Sequence, residues 1–209
     1  MPVGSKPAEM SLMPLNQAGA FLIFALVAAI TPGPSNAMIL ATGSAVGAYR
    51  GIPSVLGAAS GMSALLFFGA MGVGQLIIAE PALVRLLNWC GAAFLLYIAW
   101  RIARSGRASD LTPAKAVGFR EAALFQWVNP KGWLVAVSAA ATYFEATSDR
   151  LPQALALAAL FFVAAFASGL VWLLFGAAVQ VLLRSDRSAR VFNIAMAAVL
   201  AASVATMLR

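Results

Sequence analysis

Charged residues cut the chain into long apolar stretches. None occurs from Met10 to Tyr49, from Gly51 to Ala79 or from Leu86 to Trp100. Ala122 to Phe144 holds only Lys131, and the runs Leu151 to Leu183 and Val191 to Leu208 are free of charge. About 20 apolar residues cross the hydrocarbon core of a bilayer as a helix. The pattern therefore predicts six spans, at 15–48, 52–79, 83–102, 119–144, 151–183 and 190–208. Several are longer than the bilayer requires, so they tilt, break or project beyond it.

Composition agrees. The chain has 209 residues, 62% apolar and 10% charged, against roughly 25% charged in soluble domains. A 21.7 kDa globule this apolar could not cover its surface with polar side chains. The expected fold class is an all-α membrane protein, with six transmembrane helices in two inverted three-helix repeats. Residues 1–14 form a disordered lead-in and 15–209 a single transmembrane domain. Within it, repeat one covers 15–102, a linker 103–118 and repeat two 119–209. A cleaved signal peptide over Leu15–Ile30 is disfavoured, because only Lys6 precedes it and Pro-Gly-Pro follows in place of a small-residue cleavage site.

The net charge of +7 changes the picture only through its distribution. In a soluble chain it would suggest nucleic acid; here basic residues mark cytoplasmic loops, and no nucleic-acid partner is expected. Arg50, Arg101, Arg104, Arg107, Lys115, Arg120, Arg184, Arg187 and Arg190 fall on one side, and Lys6, Arg85, Arg150 and Arg209 on the other. The bias places both termini in the periplasm. There is no histidine and one cysteine, Cys90. No base–nucleophile pair stands out, so neither an enzyme nor a bound cofactor or metal is expected.

Two spans are broken. Thr31-Pro32-Gly33-Pro34 interrupts the first and Asn129-Pro130-Lys131-Gly132 the fourth. Each proline removes a helical amide and displaces the carbonyl four residues back, freeing those of Ala28, Ile30 and Gln126. A lone proline is often only a kink. The two breaks, however, open corresponding spans of the two halves, and Arg50-Gly51-Ile52-Pro53 is echoed by Arg150-Leu151-Pro152. Halves with an odd number of spans enter the membrane in opposite senses. Paired interrupted segments in such halves point to a transporter's midplane site.

The chemistry there suits a zwitterion. Free amides at Ser35-Asn36, with the positive end of the half-helix, favour a carboxylate. Freed carbonyls favour an ammonium group, and the side-chain amides of Asn36 and Asn129 serve either. Lys131 is the only charge deep in a span. Its burial costs at least about 2.5–3.5 kcal/mol on insertion scales, so it needs carbonyls, water or a substrate carboxylate. A structural lysine bonded to broken-helix carbonyls remains an alternative. The glycine row Gly43, Gly47, Gly51, repeated by Gly57 and Gly61, reads as helix-packing seams.

The motifs Pro32-Gly33-Pro34-x-Asn36, Gly91-Ala92-Ala93-Phe94-Leu95-Leu96-Tyr97-Ile98-Ala99-Trp100-Arg101 and Gly118-Phe119 leading to Asn129-Pro130-Lys131 resemble the LysE/RhtB family of bacterial amino-acid exporters. The resemblance runs from about Leu15 to the end. It implies a six-helix inner-membrane exporter of amino acids or close derivatives, working by alternating access and driven by the proton gradient. Phe125-Gln126-Trp127-Val128-Asn129-Pro130-Lys131 leans toward the branch exporting cysteine and O-acetylserine. Gly61 is followed by Met62 where many members carry an acidic residue, so no proton carrier can be named. The candidate substrate site is Pro32, Gly33, Pro34, Ser35, Asn36, Gln126, Asn129, Pro130 and Lys131. Expected partners are a small-molecule amino acid and the lipid bilayer, and a homo-oligomer is allowed. A small-ion or metal exporter and a non-transporting membrane scaffold subunit are the alternatives.

Overall fold

A computed structural model describes residues 14–104, 117–144, 150–182 and 185–207. The expected lead-in, apart from Pro14, and most of the expected linker lie outside them. Among the described residues there are eight helices and no strand: α1 Leu15–Ile30, α2 Pro34–Ala70, α3 Val73–Ala79, α4 Pro81–Ala103, α5 Phe119–Val128, α6 Pro130–Tyr143, α7 Arg150–Leu182 and α8 Asp186–Met207. Three are long and apolar enough to cross a membrane: α2, α4 and the stretch Arg150–Val179 of α7. Leu15–Ile30 and Arg190–Ala205 are shorter apolar helices.

Proline starts three of these helices. Pro34, Pro81 and Pro130 each stand in the first turn, where the missing amide costs no hydrogen bond. The residue before each is pushed out of the helical region by the proline ring. Gly33, Glu80 and Asn129 are accordingly all extended. One local rule thus makes both helix breaks and the start of α4.

The 37 residues of α2 would run about 55 Å if straight, far more than a bilayer core. They do not run straight. Gly47 has φ 80 and ψ 173, a combination open essentially to glycine alone. Residues equally distant from it meet the same part of α7. A Cβ on Gly43 or on Gly51 would collide with Leu173, and Ile39 and Val55 both lie against Gly169. The helix therefore folds back on itself at Gly47, with both arms on α7.

Two expected boundaries change as a result. The first reversal needs no separate loop around Arg50, because a single glycine makes it inside the helix. The second expected segment, 52–79, stops at Ala70. Gly72, with φ 102, then turns the chain into the seven-residue α3. The seam reading holds for Gly43 and Gly51, which face α7, and for Gly57 and Gly61, which face the backbones of Phe119 and Ala123 in α5. Gly47 has a conformational role, set by its φ of 80.

Buried side chains form two clusters. One gathers Met38, Val55, Leu95, Phe125, Leu173 and Leu200. The other gathers Phe21, Leu65, Trp133, Ala136, Leu157 and Phe161. No residue of α1 joins the first and none of α8 joins the second.

Candidate functional site

The two breaks are built alike. In the first, α1 closes with the Thr31 amide donating to the Val27 carbonyl at 3.1 Å, and Gly33 leads into α2. In the second, the Asn129 amide donates to the Gln126 carbonyl at 3.2 Å, and α6 starts with the Gly132 amide donating to the Asn129 carbonyl at 2.9 Å. No side chain caps the N-terminus of α2 or of α6. Proline removes one first-turn amide from each half-helix and that of Gly132 is used, which leaves those of Ser35, Asn36 and Lys131 as donors for another group.

Side chains join the breaks to each other. Lys131 Nζ donates to the Thr31 carbonyl at 2.7 Å, 100 residues away in sequence. Its aliphatic stem lies across Gly33, where a Cβ would come 3.3 Å from Lys131 Cδ. Gln126 Nε2 donates to Ser35 Oγ at 3.0 Å. Asn36 Nδ2 donates to the carbonyls of Ala29 at 2.8 Å and Thr31 at 2.9 Å. An indole closes the end of each first half-helix: Trp172 Nε1 donates to the Ile30 carbonyl at 3.3 Å, and Trp133 Nε1 to the Trp127 carbonyl at 2.8 Å.

These bonds correct part of the sequence reading. Of the carbonyls expected to be free for an ammonium group, that of Ile30 accepts the Trp172 indole and that of Gln126 accepts the Asn129 amide. At the first break the carbonyls that receive polar side chains are those of Val27, Ala29, Ile30 and Thr31, and at the second that of Trp127. The reason is that α1 stays helical to Ile30, so its orphaned carbonyls, that of Ile30 among them, cluster at its very end. Lys131 has a neutral carbonyl partner, as the structural alternative required.

Two cavities meet at this junction. A small one of 60 Å³ is lined by Ser35, Asn36 and Gln126, with Ala58, Met62 and Phe161 as apolar wall. A large one of 950 Å³ reaches Pro32, Pro34, Pro130, Trp133, Trp172 and Asn88. Gly33, Asn129 and Lys131 line both. All nine residues expected at the site thus border one cavity or the other, and three form the partition. Among the described residues, Lys131 is the only charged one lining either cavity. At roughly 30 Å³ per liquid water, the small cavity has room for about two waters, or for one small charged group in their place.

Sequence reasoning missed the walls. Ala58, Met62, Phe161 and Trp172 come from the second arm of α2 and from α7, and no local motif marks them. Trp172 alone carried a signal, as an indole whose N–H needs a partner when it packs inside a span.

Among the described residues no three His, Cys, Asp or Glu gather where they could hold a metal ion. Residues 26–208 match the family model described as LysE type translocator. The chain is 35% identical to the cysteine/O-acetylserine efflux protein of Salmonella typhi over 138 residues, 66% of this chain and 68% of that one. It is 30% identical to the cysteine/O-acetylserine efflux protein of Escherichia coli (strain K12) over 181 residues, 87% of this chain and 92% of that one. No solved structure matches. With nearly the whole chain matched, this protein belongs to the LysE type translocator family and is a membrane transporter, not an enzyme.

Proposed function

We propose that this transporter exports an amino acid or close derivative from the bacterial cytoplasm across the inner membrane, holding it between the two helix breaks. The observation that carries this is the convergence of two uncapped half-helix N-termini and Lys131 on shared cavities. Positive helix ends and a lysine favour an anion, and here a carboxylate is the fitting one. It displaces the Thr31 carbonyl from Lys131, because a bond between an ammonium and a carboxylate is stronger than one from the same ammonium to a neutral carbonyl. The remaining polar groups, from Ser35, Asn36, Gln126 and Asn129, take up the rest of the zwitterion. Pro32, Gly33, Pro34 and Pro130 shape the backbone that makes room for it.

The membrane arrangement we infer has six crossings. They are α1 with the first arm of α2, the second arm of α2, α4, α5 with α6, α7 and α8. Contacts support two inverted halves: α4 packs on α8, α7 lies along α1 and the first arm of α2, and the second arm of α2 lies along α5 and α6. One half rocks against the other for alternating access, driven by the proton gradient, with both termini in the periplasm. The names of the relatives make cysteine and O-acetylserine the first substrates to try. Counterflow in proteoliposomes with a panel of labelled amino acids tests this reading. Saturable uptake of at least one of them is expected, and none from any member of the panel would overturn it.

A further inference from the structure

Asn129 is 3% exposed, and its Oδ1 is buried with no hydrogen-bond partner. Buried acceptors without partners are rare and call for an explanation. Asparagine can escape such a cost by flipping its amide, unless its neighbours hold it. They do here. The Ala122 carbonyl can only accept, so Gln126 must present Nε2 to it, at 3.1 Å. The same Nε2 meets Ser35 Oγ. Gln126 Oε1 then faces Asn129, which must answer with Nδ2, at 3.4 Å. That leaves Oδ1 as the unpaired acceptor of a residue lining both cavities, covered in this unloaded state, so a donor reaches it only as the pocket adjusts around its ligand.

We propose that Asn129 Oδ1 is the acceptor that reads the substrate's ammonium group, and that Gln126 is the positioning residue that keeps this oxygen, and not the amide nitrogen, turned to the substrate. The proposal rests on the transport reading above and adds a specificity rule to it. A solute with a free ammonium supplies the missing donor. One without it leaves the oxygen buried and unpaired. Sites built around a buried polar group reject analogues lacking its partner far more strongly than apolar pockets reject a missing methylene. Lys131 and the half-helix amides bind both kinds of solute through the carboxylate, so they cannot supply this discrimination.

The test uses the full chain in proteoliposomes, with labelled L-cysteine counterflow under reducing conditions. The competitors are unlabelled cysteine and mercaptopropanoate, which is cysteine without its amino group. The unsubstituted protein is expected to prefer cysteine at least about tenfold, the scale of one charge-assisted bond. N129L brings the two competitors within about threefold of each other by weakening cysteine alone. Q126L, which leaves Asn129 in place and decides the matter where N129L does not fold, raises KM for cysteine about fivefold or more with kcat nearly unchanged. Equal effects on both solutes in both variants, or no preference in the unsubstituted protein, would overturn the ammonium assignment while transport stands. No counterflow of any amino acid of the labelled panel by the unsubstituted protein would remove the transport reading and this inference together, and no counterflow of cysteine alone would overturn the inference.

Discussion

Gly47 and Gly19 show how differently two glycines in apolar helices behave. Gly47 sits at φ 80 in the fold-back of α2, and Gly19 lies in α1 with nothing within 4 Å of a Cβ. Gly47→Ala should lower stability by about 1–3 kcal/mol, the cost of forcing a side chain into that region. Gly19→Ala should leave stability unchanged or raise it by up to about 1 kcal/mol, from helix propensity. Thermal unfolding of the purified protein in detergent measures both. The contrast also marks what the sequence could reveal. Prolines act on their own neighbours, so both breaks were readable from the tetrapeptides. Gly47 stands four residues from Gly43 and from Gly51, the spacing of a packing seam, and only the backbone distinguishes it.

Element ends are held by a few specific bonds, and their loss should be measurable. Glu121 in the first turn of α5 accepts the Gly118 amide at 3.0 Å and pairs with Arg101 at the end of α4 at 2.8 Å. Glu121→Ala should cost about 1–2 kcal/mol, mostly through the lost cap. A double-mutant cycle with Arg101→Ala should assign only about 0.5–1 kcal/mol to the ion pair. The two indole bonds at the ends of α1 and α5 invite a similar comparison. Trp172→Phe and Trp133→Phe keep ring bulk and remove the donor, and each should cost about 0.5–1.5 kcal/mol. Which carbonyls these donors reach could not be read from the chain. A helix end shifted by one residue rotates every later carbonyl by about 100°, as the 3.6-residue turn requires. The wall residues of the cavities were hidden for the same reason, since they depend on how α2 and α7 are turned about their axes.

At the scale of the molecule, two features need independent checks. The first is orientation. Reporter fusions after Arg209 should be active only as periplasmic reporters, and insertions within 105–116 only as cytoplasmic ones; the opposite pattern would invert the direction proposed for the two halves. The second is the site itself. Helical, apolar character followed from charge spacing, and the pairing of the two proline breaks followed from their positions along the chain. Their meeting in space did not follow from either. It depends on α2 folding back at Gly47 and on Lys131 crossing Gly33 to reach Thr31.

The central claim is that the two breaks form one substrate site. It is tested most directly by measuring export from cells carrying Lys131→Ala, Pro32→Ala or Asn129→Ala, with membrane abundance measured alongside. Each variant is expected to remain in the membrane, with export lost for Lys131→Ala and Pro32→Ala and reduced for Asn129→Ala. Normal efflux from all three would contradict the claim.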